Sequence, residues 1–482
     1  MKQQGDTLMN ATSENISVTE KSNLNLHGTI WRWHFYAGLF CIPFILLLSI
    51  TGGIYLFNPQ VESQLDQPYE GLTITGVQTS AEAQVAAALA AVPGSVLNAY
   101  VLPATPQSAV RVLVGHDAEI YRVYVHPETL AILKVDQEDR RIMRVIHRLH
   151  GELLLGDRGS MIVELAASWA IVMFITGLYL WWPRNAQSMA GIVYPRLGRG
   201  KRLFWRDIHA VTGLWITFFT LFLLISGLPW AKSWGGMLKE IRQIGVTKVV
   251  TQDWTTGRSS ELADRREMND QAAVMADMSE HAGHHHGDAQ SHSEHDYSAI
   301  DRLVATVRPL NLAAPVQISP PSKRSPNWSA HSLEQNRPLR ADVELDGLTG
   351  EIQSRKNFAD RPLFDRMIGI GVAAHEGQLF GWQNQLLGVF TALGLVLMTT
   401  SSVVLWLSRR TPGTLGAPQA NSASTRFSIG IITTIVIVSV LLPLLGISLI
   451  LITLAERFLL RNIPSARNFL GLGGVSRSDV IA

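Results

Sequence analysis

The chain has 482 residues, 47% of them hydrophobic and 17% charged, with a formal net charge of +2. Soluble domains carry charge on about a quarter of their residues, so a wholly soluble class is excluded. No basic patch interleaved with aromatics is present, which excludes nucleic acid as a partner. The single cysteine, Cys41, lies inside an apolar run, which excludes an internal disulfide and any cysteine-ligated metal or iron–sulfur site.

Residues 1–33 read as a polar, cytoplasmic N-terminal segment. No small-residue cleavage site follows the first apolar run, so that run is expected to remain as an anchor. Five stretches are long enough to cross roughly 30 Å of hydrocarbon at about 1.5 Å per residue: 34–57, 160–182, 208–230, 383–407 and 428–455. Tryptophans mark their ends (Trp31, Trp33, Trp181, Trp182, Trp205, Trp230, Trp234, Trp382 and Trp406), as amphipathic rings favour the headgroup level.

The connection 183–207 carries Arg184, Arg196, Arg199, Lys201, Arg202 and Arg206. The connection 408–427 carries Arg409, Arg410 and Arg426. The excess of basic residues places both in the cytoplasm and leaves 58–159 and 231–382 outside. A straight fifth helix would put the tail 456–482 outside as well, although it holds Arg457, Arg461, Arg467 and Arg477. That conflicts with the same rule, and Pro443 is a candidate kink in this helix.

The two outer segments contain similar pieces. YRVYVHPETLAILKV (121–135) and ADVELDGLTGEIQSR (341–355) each read as strand, turn, strand, with Thr129 and Thr349 at matching turn positions. A helical stretch precedes each, at 81–93 and 299–310. Two small α+β domains are expected, each with one helix on a small antiparallel sheet. The second also carries an insertion at 275–295, with His281, His284, His285, His286, His292 and His295 and two methionines. This run reads as a disordered, loose collector of iron or copper outside the membrane, or as a solvated linker.

Histidines repeat with the membrane segments. His34 and His209 stand 175 positions apart, each followed by glycine four residues on (Gly38, Gly213) and later by Thr51-Gly52 and Ser226-Gly227. His150 and His375 stand 225 apart, with Gly156 and Gly381, then Trp181 and Trp406, in register. The fold class is therefore an α-helical integral membrane protein: a duplicated two-helix unit forming a four-helix core, plus a fifth helix and the two outer domains.

Each copy places one histidine at the head of each of its helices. His34 and His209 fall near one surface, and His150 and His375 near the other. Imidazole is a strong axial ligand for haem iron, and a low-spin haem takes two from opposite faces. Two bis-histidine haems are the expected cofactors, and Gly38 and Gly213 leave room for a flat macrocycle. Interfacial histidines also cap helices, and glycines at this spacing also pack helices. His147 is an alternative ligand to His150, although Val372 stands at its counterpart position. His27 reads as a surface residue. Glu164 reads as a shallow acid facing the headgroups, or as a proton relay. The stretch after the last helix is too short for a flavin or nicotinamide domain, so the reductant is expected to be a separate protein or a membrane quinol.

WRWHFYAGLFCIPFILLLSITGGIYLF, LHGELLLGDRGSMIVELAASWAIVMFITGLYLWWPR and WRDIHAVTGLWITFFTLFLLISGLPW resemble the helices of the PepSY-associated transmembrane family of bacterial inner-membrane proteins. The outer strand–turn–strand pieces resemble PepSY domains, and the resemblance runs from about 27 to 408. It implies a multi-pass inner-membrane protein with a cytoplasmic N-terminus and two b-type haems held at His34, His150, His209 and His375. It also implies passage of electrons to a ferric siderophore or other metal chelate in the periplasm, downstream of an outer-membrane uptake system. The His/Met-rich insertion and the extra terminal helix depart from the family and leave the acceptor open. Two other functions stay open: a non-redox periplasmic metal-binding or transport accessory, and a PepSY-based, peptide-binding regulatory membrane protein.

Overall fold

A computed structural model describes residues 2–183, 188–243, 297–321, 327–418 and 429–472, with side chains from residue 26 onward. Five helices are long and apolar enough to cross a membrane: Leu26–Tyr55, Asp157–Trp181, Lys201–Trp230, Trp382–Arg409 and Pro443–Leu460. The chain divides into two compact units. One comprises Met1–Ile50, Arg158–Val250 and Val389–Ala482; the other comprises Thr51–Asp157 and Thr251–Gly388.

The first unit is helical. Its elements are most of α1 (Lys2–Tyr55), α2 (Asp157–Trp181), α3 (Lys201–Gly227), α4 (Lys232–Gln243) and most of α5 (Trp382–Arg409). Ala37, Cys41, Ala170, Met173, Phe174, Ile216, Leu395 and Met398 form its core. A Cβ at Gly394 would lie 2.6 Å from Ile216 Cγ2, so glycine is what lets α3 and α5 approach there. Phe218, 75% exposed, and Leu393, 64% exposed, turn outward, where an apolar solvent would accept them.

The expected fifth helix at 428–455 is two helices, α6 (Ile429–Leu441) and α7 (Pro443–Ala455), joined at a non-helical Leu442. Proline at 443 has no N–H to give to the preceding turn, and the chain reverses there. Leu441 takes the Trp234 indole N–H at 3.1 Å, just past the C-terminal end of α3. Trp169 then donates to Ser448 Oγ at 3.1 Å. The tail comes back to the start of the membrane part of α1, where Tyr36 Oη donates to the Leu470 carbonyl at 2.5 Å and Arg32 to that of Gly471 at 3.0 Å. Arg32 also donates to Pro418, the approach to this hairpin. Arg457, Arg461 and Arg467 therefore follow a returning helix, which removes their conflict with the charge rule.

Residues 232–243, expected within the second outer domain, belong to the helical unit as α4. Glu164 is 2% exposed and accepts from Ser233 N–H at 2.9 Å, while Ser160 Oγ accepts from Lys232 N–H at 3.1 Å. The two side chains cap the N-terminus of α4, where unpaired amides and the helix dipole favour an acid. The expectation of a shallow, headgroup-facing Glu164 is thereby corrected.

The second unit holds one eight-stranded antiparallel sheet, not two separate small domains. Its strands are β1 (Val96–Val101), β2 (Val110–His116), β3 (Glu119–Val125), β4 (Ile132–Gln137), β5 (Val316–Ser319), β6 (Trp328–Ser332), β7 (Ala341–Leu345) and β8 (Ile352–Asn357). The order is β4-β3-β2-β1-β5-β6-β7-β8. Pairing of Tyr100 with Ile318 and Val101 with Gln317 fuses the halves, because each four-stranded half would otherwise leave an unpaired edge. Helices Ala81–Ala91 and Ala299–Val307 cover one face, and Val85, Val112, Val114, Val123, Ile300, Leu303, Ile318 and Val343 share a single core. Thr129 Oγ1 accepts from Ala131 N–H and Thr349 Oγ1 from Glu351 N–H, so both turn threonines act alike.

Candidate functional site

The four histidines meet in two pairs, one in each unit. In the helical unit, the His34 and His209 ring centroids are 6.3 Å apart with planes at 80°. In the sheet unit, those of His150 and His375 are also 6.3 Å apart, at 83°. Two imidazoles bound to opposite sides of one metal, at about 2.0–2.1 Å per bond and about 1.2 Å from nitrogen to ring centre, would stand about 6.4–6.6 Å apart. The observed spacing thus fits an ion shared by each pair.

The other ring nitrogen is already engaged. His34 Nδ1 lies 3.0 Å from the Met173 carbonyl and 3.2 Å from Thr176 Oγ1. His209 Nδ1 lies 3.1 Å from the Met398 carbonyl and 3.4 Å from Ser401 Oγ. A carbonyl only accepts, so Nδ1 carries the proton in both rings and Nε2 keeps its lone pair for a metal. His150 Nδ1 lies 3.0 Å from Thr51 Oγ1.

Space accompanies the first pair. A cavity of about 1200 Å³ is lined by His34, His209, Gly38, Gly213, Met173 and Met398, among others. Methyl groups built at Gly38 and Gly213 would sit 3.8 and 3.6 Å from the sulfurs of Met173 and Met398. Glycine also clears the imidazoles themselves: a Cβ at Gly177 would be 3.1 Å from His34 Cε1, and one at Gly52 would be 3.0 Å from His150 Cε1. Among the described residues, no group of three or more His, Cys, Asp or Glu side chains could hold a bare metal ion. Paired imidazoles beside a large, glycine-lined cavity fit a planar macrocyclic complex better.

The second pair is fixed from the sheet unit. The Leu56 carbonyl, just past the end of α1, accepts from Gln378 Nε2 and Gln385 Nε2, each at 3.0 Å, which ties the segment after His375 to the end of the helix that carries Thr51 and Gly52. His150 lies on α8 (Ile142–Glu152). Arg141, 6% exposed, precedes this helix and donates to Glu62, Asp66 and the Tyr124 hydroxyl. Burial alone would raise the Asp66 carboxyl. The Tyr124 hydroxyl, Arg141, Arg111 and Arg122 outweigh it and hold the group below its ordinary 3.8.

The match to the PepSY-associated TM region spans residues 31–409. The chain belongs to that family. This PepSY-associated membrane protein matches no curated relative.

Among the other residues singled out by sequence, His147 packs against Tyr55 at 5.3 Å, and it is His150 that meets His375. His27, expected at the surface, lines the cavity and lies 6.4 Å from the Tyr179 ring. His281, His284, His285, His286, His292 and His295 lie outside the described residues. Thr51, Gly52, Met173, Thr176, Gly177, Met398 and Ser401 also contact or clear the paired histidines, and no sequence motif marks them for that role. Thr51-Gly52 stood in the 175-residue repeat, and Met173 and Thr176 recur as Met398 and Ser401 at the 225-residue spacing of His150 and His375.

Proposed function

We propose that this protein is a di-haem b reductase of the bacterial inner membrane, with His34 and His209 holding one haem and His150 and His375 the other. It passes electrons from a cytoplasmic donor or a membrane quinol to a metal complex outside. The observation that carries this reading is the recurrence of one spacing, 6.3 Å with nearly perpendicular rings, at both histidine pairs. Bound haem supplies a one-electron ferric–ferrous couple, tuned by its axial ligands and their hydrogen bonds. The Met173 and Met398 carbonyls fix the tautomers of their histidines, and the surrounding apolar helices exclude water.

The preferred acceptor is a ferric siderophore. Each iron takes up one electron and leaves as Fe(II), which hard oxygen ligands hold less tightly than Fe(III). The basic residues Arg196, Lys201, Arg202, Arg206, Arg409 and Arg410 favour a cytoplasmic position for their end of the helices.

Reduced-minus-oxidised spectra of the purified protein test the reading. Two b-type haems per chain are expected, falling to one in His34→Ala and to one in His150→Ala. A colourless protein, or full haem content in the double variant, overturns it.

A further inference from the structure

We infer that Arg202 and Arg409 grip the two carboxylates of an acidic tetrapyrrole seated between His34 and His209, so that this cavity selects the free diacid over its neutral ester. The inference rests on the haem reading above and adds to it which way the ligand sits and what chemistry holds its rim.

The cavity is lined by four arginines, Arg196, Arg202, Arg206 and Arg409, and by no Asp or Glu among the described residues. Two of them are accounted for. Asp207, fully buried beneath them, receives Arg196 Nε at 2.7 Å and Arg206 Nη2 at 2.8 Å. Neither Arg202 nor Arg409 is paired with a carboxylate among the described residues.

Both line the same cavity and carry like charge. Arg409 is nevertheless held in place: it donates to the Leu405 carbonyl at 3.2 Å and stacks over Trp31 at 5.4 Å and Phe35 at 5.9 Å, both cavity-lining rings. Like charges fixed together beside an apolar enclosure cost energy that an anion would offset. Arg202 precedes His209 by seven residues on α3, two turns away on the same helix face, a rise of about 10 Å. A carboxylate arm at the rim of a tetrapyrrole centred on His209 points to that level. Phospholipid phosphates at a membrane surface are the competing anion, and they would need neither His209 nor the cavity.

The test refills haem-depleted, full-length protein with iron protoporphyrin or with its dimethyl ester and follows the bis-histidine spectrum. At one of the two sites the diacid should bind at least about tenfold more tightly than the ester, the effect of one charge-assisted hydrogen bond or more. Arg202→Gln/Arg409→Gln should abolish that preference and lower one of the two midpoint potentials, since positive charge near the iron favours the reduced form. Lysine at both positions should restore most of the preference. Arg202→Gln alone, at an exposed position, should show a partial loss if the double variant does not fold. Equal binding of diacid and ester by the wild type, or an undiminished preference in the folded glutamine variants, overturns the inference while the haem reading stands. Absence of a bis-histidine spectrum in every protein overturns both.

Discussion

The residues that set the candidate site are as much the absent side chains as the histidines. Gly52 and Gly177 leave the edges of His150 and His34 only enough room to stand where they do. On the di-haem proposal, Gly52→Val and Gly177→Val are each expected to displace one imidazole and convert one haem, not both, from six-coordinate low-spin to high-spin, read from the oxidised absorption spectrum. An unchanged spectrum in either variant would show that the ring is placed by something else. Thr51→Val is gentler: it removes the hydroxyl 3.0 Å from His150 Nδ1 and should weaken haem binding at that site about 10–100-fold. The histidines were legible in the sequence because a costly polar group recurs in register with apolar segments. Gly177 was not, because its counterpart at the 225-residue spacing is Ser402 and the repeat is silent there.

At the level of elements, a buried charge network holds α8 and with it His150. Arg141→Ala would remove the guanidinium that hydrogen-bonds both Glu62 and Asp66, leaving Arg111 on Asp66 and Arg122 near both, and is expected to destabilise the sheet unit by roughly 1–3 kcal/mol, measured by hydrogen exchange on the full chain. The pH dependence has a definite sign. Because the folded Asp66 carboxyl lies below its ordinary 3.8, its stabilisation is full above that value and is lost as the pH falls through the folded one. Arg141→Ala should flatten this acid limb. The sheet offers a second test. Ile318, fully buried in the common core, sits at the β1–β5 seam, so Ile318→Ala should cost about 2–5 kcal/mol and reduce exchange protection at Val112 and Val123 as well as at Ala330 and Val343. Loss confined to β5–β8 would mean that the halves are independent. The strand–turn–strand pieces were legible from alternation and turn residues within fifteen positions. The seam was not, since β5 is only Val316–Ser319 and its partner lies more than two hundred residues earlier, where no local pattern reports pairing.

For the molecule as a whole, four membrane helices could be read from length and hydropathy. The last segment could not, because a window average treats Ile429–Leu441 and Pro443–Ala455 as one apolar run. The clue was the charge conflict: a straight helix would carry Arg457, Arg461 and Arg467 away from the other arginines, at a cost that the break at Leu442–Pro443 removes. The hydrogen bonds from Arg32 to Gly471 and from Tyr36 to Leu470 tie the returning tail to the start of the first membrane helix. Single cysteines at the exposed positions Lys201 and Ser465, in a Cys41→Ala background, should therefore react with a membrane-impermeant maleimide from the same side. In intact cells both should stay unlabelled until the membrane is opened, if that side is the cytoplasm. Labelling of Ser465→Cys but not Lys201→Cys in intact cells would restore a single crossing by 428–455 and separate the tail from Arg32. Pro443→Ala provides the complementary arm: the break also depends on Leu442 leaving helical geometry, so same-side labelling should persist, with a lower thermal stability of the helical unit.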